Sequence, residues 1–155
     1  MKSRSILALC LGLLMLASVG AQAWASPQAA PAKAPSLYTR LGGYDAIAAV
    51  TDDFLGRLAS DPQLGRFFVG LSTSSLTKTR QHIVDFLCQA TGGPCMYHGR
   101  DMKTAHAGLK ITESDWDVMV NHLVATLDKF KVPQKEKDDV LAAVGPLKAD
   151  IVEKK

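Results

Sequence analysis

Thr91-Gly92-Gly93-Pro94, followed by Tyr97-His98-Gly99-Arg100-Asp101-Met102-Lys103-Thr104-Ala105-His106, is the stretch on which the fold turns. A glycine pair before a proline stops a helix, because proline cannot continue the hydrogen-bond ladder and glycine tolerates the turn. Beyond it, residues 96–101 have loop composition, and Met102 to Ala107 forms a short helix that Gly108 ends. Working backwards, Ser74 or Ser75 is expected to cap a long helix reaching Ala90. Before that, Asp61-Pro62 reads as an N-cap with proline at the first helical position, opening a short helix toward Phe67-Phe68. Tyr44 to Ser60 places Ile47, Val50, Phe54 and Leu58 on one helical stripe, preceded by a short turn from Ser36 that Gly42-Gly43 stops. Downstream, Thr112 with Asp115 resembles a capping box, opening a helix that carries Trp116, Met119, Val120, Leu123, Leu127 and Phe130. Pro133 starts the last helix, with Val140, Val144, Leu147 and Ile151 facing inward and Pro146 expected to kink it.

No alternating pattern runs long enough for a strand, so the class is all-α. Three long amphipathic helices surround short ones, which is no uniform bundle. A flat, apolar cofactor would fill the space that the short elements cannot close.

The 155 residues suffice for one core. Residues 1–25 read as a secretory signal: Lys2 and Arg4 at the start, an apolar run from Ile6 to Val19, and Ala21-Gln22-Ala23 or Ala23-Trp24-Ala25 for cleavage. An uncleaved anchor is the alternative, but 14 residues fall short of the roughly 20 that a spanning helix needs. No stable membrane span is therefore expected after cleavage, and an exported, periplasmic location is. Residues 26–35 form a flexible Pro- and Ala-rich leader, and residues 36–155 form the domain. Without the signal, 16 basic residues face 15 acidic ones. A net charge of +1 gives no electrostatic footprint for nucleic acid. Export leaves Cys88 and Cys95 where a disulfide is permitted, and either a bridge or two buried thiols fits the spacing. No Cys-x-x-Cys-His attachment motif occurs.

Four histidines offer chemistry: His82, His98, His106 and His122. His106 lies on a short helix flanked by small residues that admit a flat group. His82 shares a face with Thr79, Ile83 and Phe86, at spacings of three and four. Read alone, each also suits a capped or boundary residue. His122 follows Asn121 on the polar side of its helix and reads as surface; His98 has no assigned role. Phosphate-loop, His-Glu-x-x-His and nucleophile-elbow motifs are absent.

From Ser36 onward the chain resembles a group I truncated haemoglobin, a two-over-two helical sandwich around haem. The resemblance rests on Leu37-Tyr38-Thr39-Arg40-Leu41-Gly42-Gly43, Asp61-Pro62-Gln63-Leu64-Gly65-Arg66-Phe67-Phe68, the stretch from Thr91 to His106, and Gly145-Pro146-Leu147. It implies that His106 is the proximal iron ligand and that Phe68 packs on the porphyrin. Phe67, Phe54, Phe86, Met102 and Tyr97 become pocket walls, and Arg100, Lys103 and Lys78 become candidates to meet haem propionates.

The distal side departs from the oxygen-holding pattern. Leu55 stands where such relatives carry tyrosine, and Thr79 and Ile83 stand where they often carry glutamine. Gln81 is nearby, with its facing undetermined. His82 matches a histidine that binds iron from the distal side in some cyanobacterial members. The last helix has no histidine for cross-linking, so haem b held without a covalent bond is expected. The implied function is reversible binding of oxygen, nitric oxide and carbon monoxide. Redox turnover of nitric oxide or nitrite, a weak peroxidase activity, or one-electron transfer with an electron donor is the competing class. A haem-free helical interaction module is the third reading.

Overall fold

Ser36 caps the first helix by accepting a hydrogen bond from the Thr39 amide at 3.3 Å, opening α1 (Leu37–Arg40). The structure, a computed structural model, describes residues 34–153. The signal segment and most of the leader lie outside the described residues. Gly42 and Gly43 both take left-handed φ and turn the chain into α2 (Gly43–Ser60). A 3-10 turn at Gly65–Phe67 leads to α3 (Thr73–Ala90), and a loop leads to α4 (Met102–His106). α5 (Glu113–Lys129) and α6 (Gln134–Val144) follow, then a 3-10 turn at Gly145–Leu147 and α7 (Lys148–Ile151).

α2 is the hub: it packs on α3 and on α5. Ile47 of α2 meets Val84 and Cys88 of α3, all nearly sealed from solvent. Leu123 and Leu127 of α5 meet Val140 of α6, with Leu41, Val50 and Phe54 against them. Each fully buried leucine contributes roughly 1.5–3 kcal/mol. The result is one helix pair, α2 with α3, over another, α5 with α6, and among the described residues there is no β-strand. None of the described helices is long and apolar enough to cross a membrane.

Local chemistry explains the boundaries. The capping box at Thr112 and Asp115 forms as expected, each side chain meeting the other's backbone N–H. Gly93 leaves room for nothing larger, since a Cβ there would lie 2.5 Å from the Tyr38 ring and 2.7 Å from Cys88 Sγ. Cys88 and Cys95 are joined as a disulfide across this turn.

Three expectations are corrected and one, at Pro146, is met. The cap of α3 is Ser72, which accepts from the Ser75 amide at 3.2 Å, so the helix begins earlier than Ser74 or Ser75 would allow. Asp61 does accept from the Gln63 and Leu64 amides, but it opens a turn and then a 3-10 segment, not an α-helix. Pro146 interrupts the last helix as expected: a 3-10 turn at Gly145–Leu147 is set between α6 and α7, because the proline has no N–H to continue the ladder. Phe130 falls past the end of α5 and is 40% exposed, off the inward stripe. Among the described residues, Lys110 and Lys131 are the non-glycine residues with left-handed φ, each at a backbone cost on the order of 1 kcal/mol.

Candidate haem-binding site

α4 is a single turn, too short to form by propensity alone. Its start is fixed by Asp101, whose carboxylate accepts from the Thr104 amide at 2.9 Å, a bond that holds the Asp101 carboxyl below its ordinary range. Its last residue is His106, half-buried, with Nδ1 2.8 Å from the Met102 carbonyl oxygen. A carbonyl only accepts, so Nδ1 carries the proton and donates. Nε2 is thereby left with its lone pair, in the tautomer that a metal-bound imidazole requires.

On α3, the turn spacing puts Thr79, His82, Ile83 and Phe86 on one half-buried face. The ring of Tyr97 stands edge-on to His82, with centroids 6.0 Å apart, and to Phe86 at 5.4 Å. Tyr97 is held at both ends: its hydroxyl donates to the Arg100 carbonyl at 2.6 Å, and its amide donates to Gln89 Oε1 at 2.7 Å. Burial pushes its phenol above the ordinary range. His82 makes no hydrogen bond with any described residue, so apolar and aromatic contact alone orients its ring.

A cleft between α2 and α3 brings Leu55, Phe68 and Thr79 together with Gly56, Ala59 and Leu76. Arg80 and Asp52 stand at its edge. They form a two-bond pair at 2.5 and 2.9 Å that ties α3 to α2 and holds the Asp52 carboxyl low. This pair, which flanks His82 by two residues, was not legible from spacing, because it spans two helices. Gln81 donates to the Tyr44 hydroxyl at 2.8 Å and to Asp85 at 2.9 Å from an exposed position, so its amide is committed to protein partners on the surface. His122, expected at the surface, is half-buried instead. Its Nε2 lies 2.8 Å from Asp61 Oδ2, and that pairing holds the Asp61 carboxyl low. His98 is exposed.

Whether these residues suit a haem can be judged from burial. Phe54, Leu55, Phe67, Phe68, Ile83, Phe86 and Met102 are all only half-buried, although such side chains normally complete a core. Of these, Leu55 and Phe68 line the α2–α3 cleft and Phe86 packs against Tyr97, an apolar setting that fits a flat hydrophobic partner. Phe67 also carries the Arg66 guanidinium 4.4 Å above its ring. Lys78, Arg100 and Lys103 are exposed and form no ion pair among the described residues, as a partner bearing carboxylates needs. Among the described residues no three or more His, Cys, Asp or Glu gather as a metal cluster. A haem iron asks for only one protein ligand.

Comparison with known proteins agrees. The model of the bacterial-like globin family matches residues 36–153. The group 1 truncated hemoglobin GlbN of Mycolicibacterium paratuberculosis is 36% identical over 77% of this chain and 86% of its own. The GlbN of Nostoc sp. is 34% identical over 77% of this chain and 98% of its own. Among solved structures, the 2/2 hemoglobin from Synechococcus sp. superposes with a TM-score of 0.70 at 32% identity, covering 76% of this chain and 98% of that one; it carries covalently attached heme. The chain belongs to the bacterial-like globin family, as a haem-binding truncated globin.

Proposed function

We propose that the protein binds haem b without a covalent bond, with His106 as the proximal ligand, and reversibly takes up oxygen, nitric oxide and carbon monoxide on the α3 side. The observation that carries this reading is the Nδ1–Met102 hydrogen bond, which leaves His106 Nε2 free to donate to iron. Haem supplies an iron that binds diatomic ligands and exchanges one electron. The chain supplies the rest. Phe68 and Leu55, which line one cleft, would lie against the ring and exclude water, Met102 and Phe86 would add apolar contact, and Arg100, Lys103 and Lys78 would meet the propionates. No histidine stands on α6 or α7, which supports non-covalent retention.

His82 is the candidate sixth ligand of the resting state. Its ring makes no hydrogen bond to a described residue, it shares a face with Thr79 and Ile83, and Tyr97 braces it from the side. An external ligand then has to displace it, which lowers apparent affinity by the fraction of molecules that are open. Absorption spectra of the ferric, ferrous and carbonyl forms test both assignments. The expected ferric spectrum is low-spin and six-coordinate, turning high-spin in His82→Ala. A water-bound, high-spin ferric spectrum at neutral pH, unchanged in that variant, rejects the distal role. Absence of a Soret band after expression with adequate haem rejects the whole reading in favour of a haem-free interaction module.

Leu55 has no donor for bound oxygen. A hydrogen bond to a ligand with anionic character is worth about 1.5–3 kcal/mol. Leu55→Tyr, read by stopped-flow, is therefore expected to slow oxygen dissociation by about tenfold to a hundredfold. The competing enzymatic reading, nitric oxide or nitrite turnover with an electron donor in the periplasm, predicts catalysis beyond one equivalent when a donor is supplied. The missing distal donor favours binding or one-electron transfer over dioxygenation, because a short-lived oxygen complex serves dioxygenation poorly.

A further inference from the structure

The exit of α4 is held by a residue 47 positions beyond His106 in sequence. After His106 the chain leaves the helix at Ala107, and two of the next three residues take left-handed φ: Gly108 at 83° and Lys110 at 56°. Lysine has no intrinsic reason to sit there. Backbone N–H groups in such a run converge and form a concave donor site for an anion. The anion here is the Glu153 carboxylate. Its Oε1 accepts from the Gly108 amide at 2.5 Å and its Oε2 accepts from the Lys110 amide at 3.0 Å. The Glu153 amide in turn donates to the Ile111 carbonyl at 2.9 Å. Ile111 is buried and α7 packs on α4, so the clasp is anchored on both sides.

We propose that Glu153 is a positioning residue for the proximal histidine, fixing the exit of α4 and with it the tilt and height of the His106 imidazole. A one-turn helix cannot hold its own place. Asp101 fixes its start and Glu153 its end, and His106 stands between the two. This inference rests on His106 being the iron ligand.

The test uses the full haem-loaded protein carrying His82→Ala, so that the ferrous iron is five-coordinate and His106 is its one histidine ligand, with four further changes: Glu153→Gln, Glu153→Ala, Glu153→Ala with Lys110→Gly, and His106→Ala. Two signals are read: the Gly108 and Lys110 amide proton shifts in the diamagnetic carbonyl form, and the ferrous iron–histidine stretching band by resonance Raman. In Glu153→Ala both amide protons are expected to move upfield, and the band to shift and broaden; Glu153→Gln should fall between. Glycine takes left-handed φ freely, so Lys110→Gly should keep the turn without the carboxylate and return the band toward its original position. A purely packing role for Glu153 predicts no such rescue. An unchanged band in Glu153→Ala, or amide protons that stay in place, overturns the proposal. Retention of the band in His106→Ala would instead overturn the ligand assignment, and the proposal with it.

Discussion

His106→Ala is expected to cost more than any other single change at the site. Removal of groups that merely support a metal ligand typically lowers affinity by 10–100-fold, and here the ligand itself is lost. Haem retention is therefore expected to fall by more than ~100-fold, measured as transfer of haem to an apoprotein acceptor. The carbonyl form should lose its histidine-bound spectrum. Added imidazole should restore it, because the small cavity left between Met102 and Ala107 admits the free ring. A pigment that stays equally coloured, equally tightly held and axially unchanged would refute the assignment. The half-buried phenylalanines would then have to hold haem alone, with His82 as sole ligand.

Asp115→Ala carries the largest expected loss of stability. Asp115 is 2% exposed yet charged, and its carboxylate accepts from Gln63 Nε2 at 2.8 Å, Arg66 Nη2 at 2.8 Å, and the Thr112 amide and hydroxyl at 2.9 and 2.8 Å. Burial pushes the carboxyl up, but the bonds from Gln63, Thr112 and Arg66 outweigh it and bring it from 3.8 to about 2. Alanine removes the capping box and strands the donors that met there. A loss of about 2–4 kcal/mol is expected, lowering the unfolding midpoint on the order of 10 °C. The pH dependence has a definite sign. A carboxyl that is more acidic when folded stabilises above its unfolded value and ceases to do so once it is protonated in both states. The charge-linked part of the difference between wild type and Asp115→Ala should be full well above pH 3.8 and be lost as pH falls through about 2. Asp53, also held at about 2 by Lys129 and Arg57, weakens the wild-type protein over the same interval. Chemical denaturation at pH 7 and near pH 2 separates the outcomes: an equal gap at both would show that the charge is not involved.

What could be read from the chain beforehand was what local chemistry decides. The Thr112 box and the Gly92-Gly93-Pro94 stop each depend on residues within a turn of one another, whereas the short helix before Gly108 is legible as a segment but not in what clasps its exit. The start of α3 was misplaced for a related reason: Ser72, Thr73, Ser74 and Ser75 can all cap, and the earliest wins by adding a turn. His106 stands out in the sequence because its neighbours form a motif, and its tautomer follows only once the Met102 carbonyl is placed. His122 was misread because its partner, Asp61, lies 61 residues away. Gln81 could not be assigned a facing until Tyr44 was seen to take its amide. Glu153 left no trace at all, since an exposed glutamate near the end of a helix has no local signature of a backbone clasp.

The Cys88–Cys95 bond closes a ring of eight residues around the Gly93 turn. Such a link acts chiefly on the denatured chain, whose freedom it reduces by about 2–3 kcal/mol for a ring this small. Its second effect concerns the protein emptied of pigment. The end of α3 and the loop that leads to Tyr97 stay tethered to each other whether or not the prosthetic group is present. Recapture then starts with that one corner already joined.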